Sequence, residues 1–231
     1  MKKILSYLMV ATLFVAVSCQ SAQKKAEQKD EKACCADKKD APCELNALST
    51  DEQSAGWILL FDGKTSQGWR GVNKDHFPTG WDIVDGTLHC NASGKGEAGA
   101  TDGGDILYDK KFKNFDLKLE WKISEGGNSG IFYLGQEVPE WPIYKTAPEM
   151  QVLDNERHPD AMLGKDGNRK AGSLYDLIHA SADKPFIKNG FNTASVVVID
   201  NKVQHWLNGV KIVEYERNNQ MWDALVAYSK Y

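Results

Sequence analysis

Asp-Gly and Asn-Gly pairs set between short apolar runs constrain this chain more than any other feature it carries. Such a pair closes a two-residue hairpin, because both positions tolerate the positive φ that a right-handed strand twist demands. Gly80–Val84, Asp85-Gly86 and Thr87–Cys90 read as strand, turn, strand, and Asn208-Gly209 joins Val203–Leu207 to Val210–Tyr215 in the same way. Phe115–Ile123 has an apolar residue at every second position, the pattern of a half-buried strand. Trp57–Phe61, ended by Asp62-Gly63, reads as a buried strand, and Ile131–Leu134, after the Gly126–Gly130 turn, as another. Glu149–Leu153 and Ala194–Ile199 complete the set. Helical patterning is confined to Leu48–Gln53, with Ser49 or Thr50 as N-cap, and to Met221–Lys230. Many short strands without βαβ alternation predict an all-β protein, a sandwich or jelly roll with short helices.

The 231 residues suffice for one domain or two small ones. A net charge of −4 argues against a nucleic-acid binder, which would show a basic patch or stripe. No solenoid or propeller repeat, P-loop, dinucleotide fingerprint, G-x-S-x-G or H-E-x-x-H occurs. Nothing in the sequence fixes an oligomeric state.

The N-terminus reads as an address. Lys2 and Lys3 precede an apolar run, Ile4 to Val17, of signal-peptide length and too short to span a bilayer. It ends in Ala16-Val17-Ser18-Cys19, which resembles a bacterial lipobox. That resemblance implies a signal peptide over 1–18, cleavage before Cys19 and a lipid on its thiol. The alternative is a plain secretory signal cut near Ser18. Either way the mature protein is exported to the periplasm or cell surface, and only the lipid touches the membrane. Residues 19–46 carry few large apolar side chains and read as a flexible tether ahead of a domain over 47–231. Cys34, Cys35 and Cys43 sit in that tether without zinc-knuckle spacing, so a local disulfide is favoured over a metal.

The densest polar segment is Pro148–Asp160. In a strand, Glu149 and Gln151 share one face while Met150 and Val152 enter the core, and Asp154 joins the first pair only through a bulge. The spacing resembles the E-x-D-x-x-E strand of jelly-roll glucanases, with Gln151 in place of the middle acid and Asp154 in place of the last. The other reading is a solvated strand face with an acidic turn. His158, in a Pro-bounded loop, has the chemistry of a base or a ligand. His205 shares its strand face with Val203 and Leu207, which is either core or cleft. Tyr175 is a candidate proton donor or a packing residue. Trp69, Trp81, Trp141 and Trp206 offer flat rings for stacking on sugars, one or two of them at a cleft. Glu120 is a weaker cleft candidate, and His76, His89 and His179 sit in turns or at strand ends.

Gly56–Lys64 with Gly68-Trp69, Asn128–Tyr133, Glu149–Asn155, Gly172–Asp176 and His205–Gly209 together resemble the ordered blocks of the 3-keto-disaccharide hydrolase family. The resemblance runs from about Leu48 to the C-terminus. It implies a concanavalin-like jelly roll, a carbohydrate substrate oxidised at C3, and a divalent metal whose identity and ligands it leaves unassigned. Under it Glu149 or His158 is the base and Tyr175 the acid, while Gln151, Asp154 and His205 hold substrate hydroxyls or the ion and Trp141 binds substrate through its flat ring. It also implies strands beyond Tyr231, an expectation that the sequence is truncated. A retaining β-glycosidase and a non-catalytic carbohydrate-binding domain are the rival readings.

Overall fold

A computed structural model describes residues 45–91, 102–182 and 185–231. Cys19, Cys34, Cys35 and Cys43, with the signal peptide and most of the tether, lie outside the described residues. Among those described, no helix is long and apolar enough to cross a membrane.

The molecule is an all-β antiparallel sandwich with short helices. Its strands are β1 (Trp69–Gly71), β2 (Trp81–Val84), β3 (Thr87–Cys90), β4 (Ile106–Tyr108), β5 (Phe115–Trp121), β6 (Asn128–Phe132), β7 (Glu149–Leu153), β8 (Asn192–Ile199), β9 (Lys202–Leu207) and β10 (Val210–Glu216). Helix α1 (Thr50–Ser54) opens the chain and α2 (Gln220–Ala227) follows the last strand. Ser49 caps α1 through a reciprocal box with Glu52, which satisfies two backbone donors that the first turn leaves open.

The largest sheet has the order β10-β9-β8-β5. Alternation along β8 and β9 sends Ala194, Val196, Val198, Val203, His205 and Leu207 inward, which is why their polar neighbours face solvent. In β10 a register shift between Lys211 and Val213 turns both Ile212 and Val213 into the core. The second layer is the β6-β7 pair, extended by a segment that forms no long strand of its own. Gln151 N–H donates to Ser173 O at 3.0 Å, Gly172 N–H to Gln151 O at 2.7 Å, and Tyr175 N–H to Glu149 O at 3.0 Å. Residues 172–175 thus run antiparallel beside β7. Gly172 sits at φ +84° where an added Cβ would lie 2.4 Å from Ile212 Cδ1, so this crossing requires glycine. The two layers meet over Met150, Val152, Leu174, Val196 and Val213, all buried.

Trp57–Phe61 is not a buried strand. The segment joins no sheet, and Ile58 and Leu59 are 49% and 42% exposed. Its backbone is held by other means: Trp57 N–H donates to Glu52 O at 3.0 Å, and the Trp69 indole donates to Leu60 O at 2.7 Å. An apolar run this short has no alternation to distinguish a strand from an extended linker.

Candidate functional site

Register on the second layer sets the site. Phe132 pairs with Glu149 across β6-β7, and Tyr175 lies on the other side of Glu149. The Glu149 side chain lies over Gly130: a Cβ there would stand 2.0 Å from its Oε1. Glycine at 130 is what lets a carboxylate rest against the sheet.

Beside it, the Tyr175 hydroxyl donates to Asp160 Oδ2 at 2.6 Å. Asp160 also accepts from Arg169 Nη1 at 3.0 Å through Oδ1, and Arg169 Nε donates to Asp176 Oδ1 at 2.6 Å. Asp176 Oδ2 in turn accepts the Lys230 backbone N–H at 3.0 Å. That anchors Lys230 with its Nζ 3.3 Å from the Tyr175 oxygen and 4.4 Å from the Tyr175 ring centre. The rings of Tyr231 and Tyr144 lie 5.5 and 6.0 Å from the same ammonium. Burial, with Asp160 alongside, pushes the Tyr175 phenol far above its ordinary pKa, so it keeps its proton at any working pH. The Glu149 charge adds to the upward push that burial gives Tyr133, Tyr175 and Tyr231.

His158 joins this cluster indirectly. It caps the short 3-10 helix Pro159–Met162, its Nδ1 accepting the Asp160 backbone N–H at 3.2 Å. That bond fixes the nitrogen as an acceptor and helps place the Asp160 carboxylate on Tyr175.

Other sequence candidates lie elsewhere. Asp154 folds its own turn instead of extending the Glu149 face. Its Oδ2 accepts from Gly126 N–H at 2.7 Å, and its Oδ1 from Glu156 N–H at 3.1 Å and Arg157 N–H at 3.3 Å. These bonds hold its carboxyl below the ordinary range. Glu149 opens β7 and Asp154 follows its last residue, a rise of about 16 Å at ~3.3 Å per residue. A retaining pair needs its carboxyl groups ~5 Å apart. Gln151 does share the Glu149 face, but it is 1% exposed and its Oε1 accepts the next residue's N–H at 2.9 Å. His205 is in the core and not in a cleft: it is fully buried between Tyr133 Oη, 2.7 Å from Nε2, and Gly172 O, 3.1 Å from Nδ1.

Among the four flat rings, Trp69 and Trp81 pin loops by donating to Leu60 O and Gly104 O. Trp141 is 48% exposed with Lys145 Nζ 5.2 Å from its ring centre, and Trp206 lies on the outer face of the large sheet.

Asp160, Arg169, Asp176 and Lys230 escaped the sequence reading. They come from the 3-10 helix Pro159–Met162, the loop that follows it and the residues after α2, with no shared period. The written signals were the polar segment that ends on Asp160 and the Tyr175-Asp176 pair.

Among the described residues, no three His, Cys, Asp or Glu side chains gather into a group able to hold a metal ion. The carboxylates of the cluster, Asp160 and Asp176, are both bound to Arg169. The described donors do not fit a divalent ion.

The model of a 3-keto-alpha-glucoside-1,2-lyase-like domain matches residues 56–229. A protein of Bacteroides thetaiotaomicron named 3-keto-disaccharide hydrolase is 45% identical over 234 aligned positions, covering 94% of this chain and 80% of its own length. A crystal structure from Parabacteroides distasonis, described as that of a candidate glycosyl hydrolase, superposes with a TM-score of 0.69 at 28% identity. It covers 80% of this chain and 83% of its own.

Proposed function

The chain belongs to the 3-keto-alpha-glucoside-1,2-lyase-like family, and from that premise we propose that it cleaves 3-keto-glycosides by elimination followed by hydration. It is a carbohydrate-active enzyme; the order of bond changes is the proposal. A ketone at C3 acidifies the C2 proton, because the electron pair left behind delocalises onto the ketone oxygen as an enolate. Collapse of the enolate expels the C1 substituent, which takes up a proton as it leaves. Water then adds across C1 and C2, returning a proton to C2 and giving the free 3-keto sugar.

Glu149 is the base in this reading. The supporting observation is its carboxylate, laid over Gly130 next to Tyr175 and its Lys230 neighbour. A general base must lie within hydrogen-bond reach of the proton it takes, and a positive group nearby stabilises the charge that moves to the ketone oxygen. Lys230 supplies that charge. The Tyr175 hydrogen stays in its bond to Asp160 Oδ2, so the phenol, held by Asp160 and Arg169, positions Lys230, and the leaving oxygen takes up the proton that Glu149 has drawn from C2. His158 serves this reading as the cap that sets Asp160.

Deuterium at C2 of a 3-keto-glucoside tests the order of events. Aglycone release is expected to slow severalfold, and the matching unoxidised glucoside is expected to stay intact. Equal rates for both isotopologues, or release from the unoxidised glucoside, would return the enzyme to direct hydrolysis. Tyr175→Phe is expected to slow release to a similar degree for good and poor leaving groups, because it loses the oxygen that positions Lys230 and not the proton for the leaving group. We further place the enzyme outside the cytoplasm, held by a lipid on Cys19.

A further inference from the structure

The outer face of the large sheet carries a groove of about 320 Å³, on the side away from His205 and the core. Its origin lies in one cross-strand row: Lys118 on β5 pairs with Ser195 on β8, and Ser195 with Trp206 on β9. A short side chain between two tall ones leaves a trough. Thr193 and Val197 extend its floor and Asp116 stands at its side.

Both walls are braced before any ligand arrives. The Trp206 indole N–H donates to Gln204 Oε1 at 3.1 Å, and Gln204 Nε2 donates to Glu214 Oε2 at 2.9 Å. Across the trough, Lys118 Nζ lies 4.0 Å from the centre of the Trp57 ring. Ser195 Oγ–H donates to Asp116 Oδ1 at 2.8 Å, and among the described residues Asp116 Oδ2 has no partner. The groove therefore offers a rigid indole, a carboxylate oxygen open to donors and an ammonium, at a volume near the low end of ligand clefts, about 300 Å³. The two opposite charges cancel, which favours a neutral ligand over a charged one.

We propose that this groove is a second, non-catalytic carbohydrate subsite that takes one pyranose ring of a neutral glycan. The C–H face of the ring lies against Trp206 while adjacent hydroxyls donate to Asp116 and accept from Lys118. Aromatic walls suit one apolar sugar face, and braced walls lose little freedom on binding. The inference rests on the family's carbohydrate activity and not on the elimination chemistry. It gives the enzyme a hold on a longer chain apart from the bond it breaks.

The test is calorimetric titration of the full chain with cellohexaose and maltohexaose. At least one is expected to bind saturably, with affinity falling about tenfold in Trp206→Ala, a loss of one stacking contact. Ser195→Leu fills the floor from the solvent side without disturbing the core, and is expected to weaken binding at least as much. Aglycone release from a small 3-keto-glucoside is expected to be unchanged in both variants. Failure of the wild-type chain to bind either hexaose, or unchanged binding in the folded variants, overturns the subsite. Loss of small-substrate turnover in Ser195→Leu also overturns it, since the groove would then belong to the catalytic centre.

Discussion

Glu149→Gln is expected to slow aglycone release from a 3-keto-glucoside by about 10²- to 10⁴-fold with little change in KM, the range for loss of a positioned base. The amide keeps the shape and loses the ability to take a proton. Gly130→Ala supplies an independent route to the same loss without touching the carboxylate. Its new Cβ would lie 2.0 Å from Glu149 Oε1 and 2.7 Å from Cδ, so the side chain must swing away. Steady-state rates for both variants, set beside their urea midpoints, separate lost chemistry from lost fold. A Glu149→Gln enzyme that keeps more than about a tenth of its rate would falsify the assignment of the base. A Gly130→Ala enzyme that keeps its full rate would show that the carboxylate works from another position.

Acid should weaken the fold between pH 6.5 and 4 through His205 alone by about 3 kcal/mol. Burial lowers the imidazole from 6.5 to about 4, against the smaller upward push of its bond to Gly172. Above pH 6.5 the ring is neutral in both folded and unfolded chains and the contribution is complete. As pH falls through the window, the unfolded chain takes a proton that the folded one refuses, so stability drops; below pH 4 both are charged and the loss stops. Geometry explains the refusal. Gly172 O can only accept, so Nδ1 carries the hydrogen and Nε2 must accept from Tyr133 Oη–H. Tyr133 then accepts from Tyr215, 2.7 Å away, whose ring stacks on Trp222 of α2 at 5.4 Å. A protonated ring would present a second donor to a phenol already committed as a donor. Urea unfolding at stepped pH measures the slope, and the histidine ring resonances in the folded protein identify its source. One of the five histidines should stay neutral to about pH 4. Five histidines all titrating near 6.5 would overturn the account.

Much of the fold was legible before any coordinates, for local reasons. Asp85-Gly86 and Asn208-Gly209 take positive φ at both positions, as two-residue hairpins require, and β2-β3 and β9-β10 fall where those pairs put them. β7 spans Glu149–Leu153, as the alternation of its segment implies, and β5 alternates inward and outward along its length. Trp57–Phe61 misled because an apolar run names no partner strand. The β1-β4 pair, from Trp69–Gly71 and Ile106–Tyr108, was missed because three residues carry no period.

The amino-acid order by itself determined most of the strand set, its hairpins, the Glu149/Gln151 face and, through its blocks, the family. Those features rest on residue chemistry and on neighbours one to four positions apart. Which candidates meet was decided by the tertiary structure. It roofed Gln151, sent His205 into the core against Tyr133, tied Asp154 into its own turn, and gathered Asp160, Arg169, Asp176 and Lys230 around Tyr175. Residues 55 positions apart, as Tyr175 and Lys230 are, share a hydrogen bond only because strand pairing and core burial close the intervening loop, and no local rule encodes that closure.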